Sequence, residues 1–441
     1  MSDGEAGPGG PESIPPLVGE PSRAARVGRT IRGIAVDFTP LRASRDFRLL
    51  WFGELISDTG QQITRVAIYI QIFRLTNSAA AVGLVGLVEL VPLILASIGA
   101  GSIVDAVDRR KLLIATQMGY ALASTILLLT ALSSHPPVWL VYFGAGLTAA
   151  VGGISSPTRA AMVPRLVGPN LVPSAIALNQ VMFNTTFIAG PALGGLIVAK
   201  AGLPWAYGID AITYGATIGA AILMRPMPPE GDGPRASGLG AIREGLAYLK
   251  GRRVLQSTFV IDLVAMIFGM PRVLFPILAV RQFHRGDAVV GLLFSALGVG
   301  ALLGAVSAGW VSRVRRQGRA VMIAVAVWGV GIVAFGLSGS NLWVALVCLA
   351  VAGGADVISA VFRSTILQVS VPDALRGRMS AVHILVVTGG PRVGDVEAGV
   401  VAQLFSPFVS VVSGGIACVA GVVAVGLFAP QLWRYRAGER T

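Results

Sequence analysis

A succession of long apolar stretches fills the chain from Phe47 almost to its last residues. Each has roughly 20 residues or more, the length that an α-helix needs to cross about 30 Å of hydrocarbon. Because backbone N–H and C=O groups find no water inside a bilayer, a segment that crosses it has to pair them within a helix. We count about twelve such stretches, so the sequence predicts an all-α membrane protein with about twelve transmembrane helices.

The composition agrees with a chain whose solvent is lipid. Hydrophobic residues make up 54% of the sequence, charged residues only 13%, and the mean hydropathy is +0.74. The 56 glycines fit close packing between membrane helices. Little of the chain is left for a water-soluble catalytic domain.

Arginine and lysine concentrate in every second loop between the apolar stretches. Residues 109–111 follow the second stretch, for example, and residues 313–319 follow the eighth. Positive charge next to a membrane span is retained on the cytoplasmic side. We therefore expect a multi-pass protein of the cell membrane with both termini in the cytoplasm. This topology accounts for the formal net charge of +13 without nucleic-acid binding.

The sequence repeats itself, as transporters built from two related halves do. Val82-Gly83-Leu84 recurs as Val290-Gly291-Leu292, and Ser155 with Arg159 recurs as Ser359 with Arg363. Gly190-Pro191 with Gly194 recurs as Gly390-Pro391 with Gly394. The repeat predicts two pseudosymmetric six-helix bundles.

A stretch rich in proline and glycine separates the two repeats. Pro226, Pro228 and Pro229 interrupt the helical pattern there. The predicted segments are a disordered basic cytoplasmic tail (1–45), an N-terminal six-helix bundle (46–225), a cytoplasmic linker (226–253), a C-terminal six-helix bundle (254–431) and a cytoplasmic tail (432–441).

The loop after the second stretch resembles the signature loop of the major facilitator superfamily. The residues that carry the resemblance are Gly101, Asp105, Asp108, Arg109 and Arg110. Ala106 stands where that family usually has a basic residue, and Asp108 stands where it usually has glycine. The resemblance implies the major facilitator fold and a cytoplasmic latch of the outward-facing state. An ordinary positive loop is the simpler interpretation.

The fifth stretch contains Gly190, Pro191, Gly194 and Gly195, which resemble the motif of proton-coupled antiporters in the same superfamily. Small residues let helices approach closely and proline bends them, so the segment suits a seal between helices. Tight packing alone is the alternative.

Most of the chain resembles the enterobactin-exporter branch and related drug:proton antiporters. The segments that carry this resemblance include Pro271-Arg-Val-Leu-Phe-Pro276 and Trp205-Ala-Tyr-Gly208.

Charged side chains inside the apolar stretches are expensive in hydrocarbon and indicate function. Glu54, Asp58, Gln61 and Arg65 recur at spacings of three and four, so they share one face of the first helix. We predict that this face lines a central cavity and that Asp58 is the first candidate for proton coupling. The alternative is a permanent ion pair of Asp58 with Arg65 or with a neighbouring helix.

The eleventh stretch breaks the repeat, because Arg392 and Asp395 replace the small residues Ala192 and Gly195. An ion pair between Arg392 and Asp395 within the helix is the alternative to a functional role. Besides Asp58, the predicted proton-coupling carboxyls are Glu54, Glu89, Asp395 and Glu397, and the predicted charge partners in the cavity are Arg65, Asp262, Arg272, Asp356, Arg363 and Arg392.

These features predict a secondary active efflux transporter that exports a siderophore-like or drug-like small molecule by alternating access. We expect a monomer in the lipid bilayer that uses a proton gradient and has no enzymatic activity and no cofactor. His135, His284 and His383 lack metal-ligand spacing, and the sequence has no phosphate-binding loop. An importer of the same fold and a passive channel or scramblase are the alternatives.

Overall fold

The computed structural model describes residues 37–229 and 239–436. This part of the chain is built from helices and contains no strand. The first six long helices are α1 (Arg45–Thr76), α2 (Ala79–Ala106), α3 (Arg109–Leu132), α4 (Val138–Val167), α5 (Val172–Ala201) and α6 (Leu203–Leu223). A linker helix, Leu239–Leu249, follows them.

The second set begins with α7, which consists of Arg253–Phe268, a 3-10 turn at Pro271–Leu274, and Phe275–Arg281. The remaining long helices are α8 (Ala288–Ser307), α9 (Gln317–Gly336), α10 (Leu342–Ser370), α11 (Asp373–Leu404) and α12 (Pro407–Phe428). A 3-10 segment, Ala308–Arg313, extends α8, and the short helix Pro430–Arg434 follows α12. The predicted all-α fold of two six-helix bundles is confirmed.

The seventh span is broken into two helical segments joined by a 3-10 turn. Pro271 has no backbone N–H, and a residue before proline is pushed out of the helical region. Met270 accordingly has φ −116° and ψ 78°, and Gly269 ends the first segment. The break places Arg272 in the 3-10 turn, between the two helical segments of the span.

The predicted end of the N-terminal tail needs correction, and the predicted linker contains a helix. Residues 37–45 are not a disordered tail, because Thr39–Ala43 form a short helix with Leu41 buried, and Ser44 caps α1 by accepting the N–H of Phe47. The linker contains a helix, Leu239–Leu249. The remainder of the predicted N-terminal tail, linker residues 230–238 and residues 437–441 lie outside the described residues.

Ten of the long segments are apolar and long enough to cross a membrane. The two long helices outside this set are α1 and α11, which carry most of the predicted functional charges. The charged helices therefore depend on their neighbours to shield them from lipid.

The two bundles repeat each other in three dimensions. In the first, α1 packs on α5 and α6, α4 packs on α2 and α3, and α3 packs on α6. The second bundle has the corresponding contacts: α7 packs on α11 and α12, α10 packs on α8 and α9, and α9 packs on α12. The internal sequence repeat thus corresponds to a repeat of the packing.

Glycines bring the two bundles together along α2–α11 and α5–α8. A Cβ atom at Gly399 would lie 2.8 Å from the Cα of Gly83, and one at Gly195 would lie 2.9 Å from the Cα of Gly291. Only glycine permits backbones to approach so closely. Gly83 and Gly291 are equivalent in the sequence repeat, so the two interfaces are formed by close glycine contacts at equivalent positions.

We call the end of the molecule with the linker helix and the α2–α3 loop the linker end, and the opposite end the far end. Cross-bundle polar contacts between described residues lie between the far end and the middle of the helices. They join Arg74 to Asp287, Asn77 to Arg281, Ser78 to Gln403, Ile188 to Ser295 and Glu89 to Arg392. Nearer the linker end, a Cβ atom at Gly99 of α2 or Gly309 of the α8 extension would meet nothing within 4 Å. The bundles thus join at the far end and part towards the linker end.

We expect the substitution Gly83→Val to open the far end. A Cβ atom at this position would lie 2.6 Å from the carbonyl oxygen of Asp395, across the bundle interface. Overpacking costs about 1–3 kcal/mol, so the population closed at the far end should fall roughly tenfold relative to other conformations.

Spin labels on Ser134Cys and Ser340Cys, at the far ends of the two bundles, measure this opening by pulsed electron spin resonance. Cys348 and Cys418, the free cysteines, are first replaced by serine. Gly99→Val is the matched control in the same helix. A distance distribution that Gly83→Val leaves unchanged would contradict the prediction.

Candidate functional site: buried charges around a cavity between the bundles

The first charged group, the N-bundle triad, joins α4 to α1. The guanidinium of Arg159 lies 3.0 Å from Asp58 Oδ1 and 3.5 Å from Glu54 Oε1. Glu54 is buried, and its Oε1 accepts no hydrogen bond from the described residues. Asp58 does not pair with Arg65. It forms an ion pair with Arg159 of a neighbouring helix, which was one of the predicted alternatives.

The second group, the C-bundle triad, joins α10 to α7. The guanidinium of Arg363 lies 2.9 Å from Asp262 Oδ1 and 3.7 Å from Asp356 Oδ1, and it donates to Ser359 Oγ at 2.8 Å. Arg363 is only 3% exposed, so it belongs to the interior of the bundle.

The two triads are related by the repeat. Arg363 is the repeat partner of Arg159, and both pair with a carboxylate of the first helix in their own bundle. Each triad holds two carboxyl groups and one guanidinium. One carboxyl in each triad therefore lacks a positive charge of its own.

A third group lies at the interface of α2, α7 and α11. Arg272, placed by the break in α7, binds Asp395 with two hydrogen bonds of 2.9 and 2.7 Å. Arg392 lies 3.3 Å from Glu89 of the other bundle and donates to the carbonyl oxygen of Thr388. The predicted alternative, a pair between Arg392 and Asp395, is wrong because each has a partner on another helix.

Arg65 lines two chambers next to these groups. The first chamber lies between the bundles, has a volume of about 80 Å³ and has an apolar wall that includes Phe187, Phe294 and Trp328. The second is more polar and includes Gln61, Tyr120, Thr148, Glu89 and Arg392. The predicted stripe on α1 therefore reaches the cavity at Gln61 and Arg65.

A buried carboxyl that the sequence interpretation missed lies in α6. Asp210 Oδ2 accepts hydrogen bonds from Thr64 and Ser124, both at 2.6 Å, and from Tyr214 at 3.4 Å. No guanidinium of the described residues pairs with it. An acidic residue alone inside an apolar stretch is the sequence signal that could have identified it.

The residues of the signature loop lie at the linker end. Asp108 caps α3 by accepting the N–H of Arg110 at 2.8 Å, and it also accepts the N–H of Met227 at 3.0 Å. Arg110 donates to the carbonyl oxygen of Ile222, and Asp105 is exposed without a partner among the described residues. Gly101 and Asp105 lie in the last turns of α2, next to Arg109 at the start of α3. The latch itself stays a prediction.

The antiporter-like motif of α5 faces two helices. Cβ atoms at Gly190 and Gly194 would lie 2.5 Å from Gln62 Cβ and 3.0 Å from Ile63 Cα, respectively, in α1 of the same bundle. Gly195 contacts the second bundle at Gly291. Pro191 is buried between these contacts and lines the first chamber.

Glu397 of α11 is half-buried and has no ion-pair partner among the described residues. Its predicted part in proton coupling stays a prediction.

Comparisons with known proteins agree with this architecture. The family model described as transmembrane secretion effector matches residues 35–435. The enterobactin exporter of Citrobacter koseri is 25% identical over 388 residues, which are 88% of this chain and 91% of that protein.

Two solved structures show the same fold at low sequence identity. A POT family transporter in complex with a thioalcohol-conjugated peptide has a TM-score of 0.70 at 11% identity, and the match covers 88% of this chain and 96% of that one. A bacterial homologue of the iron transporter ferroportin in an inward-facing state has a TM-score of 0.64 at 15% identity, with 88% and 98% covered. The chain therefore belongs to the transmembrane secretion effector family, within the major facilitator superfamily of transporters.

Proposed function

We propose that this transporter exports a small organic molecule from the cytoplasm in exchange for protons. The observation that carries the proposal is a cavity between two bundles that are joined at the far end and part towards the linker end. The positive loops at the linker end support a cytoplasmic location for that end. In this orientation the structure is an inward-facing carrier that loads from the cytoplasm. The likeness to enterobactin exporters supports the outward direction.

Alternating access requires the far-end contacts to break and new contacts to form at the linker end. The contacts that join the bundles suit this role because they are separate from one another. They comprise close glycine contacts and five polar contacts, of which two are ion pairs, Arg74 with Asp287 and Glu89 with Arg392. Asp105 is exposed at the linker end and is available for the opposite closure. The triads lie within single bundles, so rocking of the bundles leaves them intact.

The triads supply a physical basis for proton coupling. One guanidinium compensates one carboxylate, and a second ionised carboxylate at the same place is repelled by the first. A proton on the second carboxyl removes this repulsion. In the N-bundle triad Asp58 makes the shorter contact with Arg159 and Glu54 the longer one, so Glu54 is the group that takes up the proton. This assignment replaces Asp58 as first candidate.

The alternatives differ in measurable ways. An importer would load from the far end, which is the closed end in this structure. A passive channel or scramblase needs no alternation between the two ends and gives no saturable counterflow, whereas a carrier opens the two ends in turn.

We expect inverted membrane vesicles to accumulate substrate when their interior is acidic, because the interior of such vesicles corresponds to the cell exterior. Competition among fluorescent siderophore and drug probes identifies a substrate. Dissipating the pH gradient with a protonophore should reduce accumulation at least about tenfold. Accumulation at an unchanged rate would reject proton antiport.

We expect Glu54→Gln to abolish accumulation driven by the pH gradient while substrate counterflow continues. The amide keeps the shape of the side chain but binds no proton at neutral pH, and the pair of Asp58 with Arg159 remains. Asp58→Asn should impair both assays, because it removes the closer partner of a buried guanidinium. Glu244→Gln on the linker helix, outside the predicted spans, is the control. Gradient-driven transport by Glu54→Gln at the wild-type rate would contradict the assignment.

We expect a short cross-link between Ser78Cys and Gln403Cys to stop transport. Ser78 Oγ and Gln403 Oε1 lie 3.0 Å apart across the far end, so the link holds that end closed. A bifunctional methanethiosulfonate reagent is applied to the cysteine-free background, and Ser78Cys alone is the control. Transport should return when the link is reduced. Continued flux through the linked protein would contradict alternating access.

A further inference from the structure

Arg65 differs from the other arginines in the middle of the helices. Arg159, Arg272, Arg363 and Arg392 each have a carboxylate oxygen within 3.5 Å. No carboxylate of the described residues lies within 4.0 Å of the Arg65 guanidinium, and no described hydrogen bond satisfies it. Arg65 is half-buried on α1, at the wall shared by both chambers.

The acidic residues that line the same chambers lie beyond ion-pair distance of Arg65. Glu89 binds Arg392 across the bundle interface, and Asp356, the more distant carboxyl of the Arg363 triad, lies more than 4.0 Å from the Arg65 guanidinium. The cluster formed by Arg65, the Arg272–Asp395 pair and the Arg392–Glu89 pair therefore carries one uncompensated positive charge in this conformation.

An uncompensated guanidinium inside a membrane protein is expensive and is expected to face water or a partner. Arginine presents several N–H donors in a fixed plane, which suits the oxygens of a carboxylate, phosphate or sulfonate. The aromatic wall formed by Phe187, Phe294 and Trp328 lies in the same chamber. A cation next to an aromatic wall fits a molecule with an acidic group on an apolar body.

We propose that the transported molecule is an organic anion whose acidic group binds Arg65 and whose apolar, aromatic part lies against Phe187, Phe294 and Trp328. This inference rests on the proposed transport function and adds the charge class of the substrate. A neutral or cationic molecule of the same size leaves Arg65 without a counter-charge and binds less tightly.

Paired acids and amides test the charge preference directly. The pairs are benzoic, 1-naphthoic and 1-pyrenecarboxylic acid, each with its carboxamide, so that shape is kept while the charge is removed at three sizes. Binding to the purified full-length protein in detergent is measured by isothermal calorimetry and by ligand-dependent thermal stabilisation. A charge-assisted hydrogen bond contributes about 1.5–3 kcal/mol, so at least one acid should bind about tenfold or more tightly than its amide.

We expect Arg65→Gln to bring the affinity of that acid to the level of its amide while the affinity of the amide stays within about twofold. Arg65→Lys should keep part of the preference, because the charge remains but the planar set of donors is lost. Arg45→Gln is the matched control, since Arg45 is exposed in the first turn of the same helix. This control should leave the preference intact.

The proposal is overturned if no acid binds more tightly than its amide, whether both bind or neither does, or if Arg65→Gln keeps the preference. Binding of these acids and amides in detergent depends neither on a proton gradient nor on the direction of transport. A failure of proton antiport in vesicles therefore leaves this result standing, and a failure here leaves the vesicle result standing.

Discussion

The need to neutralise charge in a medium without water governs the interior of this transporter. Two arginines of the fourth helices, Arg159 and Arg363, are each held by carboxylates of the first helix in the same bundle. These pairs tie the charged helices into their bundles and let α1 cross a region that its composition alone would exclude. The same requirement makes Arg65 conspicuous, because its charge is left for a ligand or water to compensate.

The interface between the bundles follows a different physical rule. Small residues bring α2 against α11 and α5 against α8, and a few polar contacts join the far end. Contacts of this kind have little interdigitation of large side chains, so two rigid bundles can separate along them. Strong ion pairs within the bundles and glycine contacts between them together suit a rocking motion about the cavity.

The break in α7 connects the fold to the charge arrangement. Gly269 and Pro271 end the first part of the helix and place Arg272 in a 3-10 turn, where its guanidinium binds Asp395 with two hydrogen bonds. A continuous helix would direct this side chain differently. The proline was visible in the sequence, but its effect was not predicted, since membrane helices often continue through proline with only a kink.

The sequence by itself determined the helical fold, the duplication and the identity of most buried charges, because apolar length and repeated motifs are local properties. Only the tertiary structure decided which charges pair. In the sequence Arg159 stood out only as part of the repeat and Asp210 went unnoticed, yet Arg159 organises the N-bundle triad and Asp210 is held by three hydroxyl groups. Partners on different helices meet through the rotation and depth of each helix, which the packing of the whole bundle sets and no single stretch of sequence encodes.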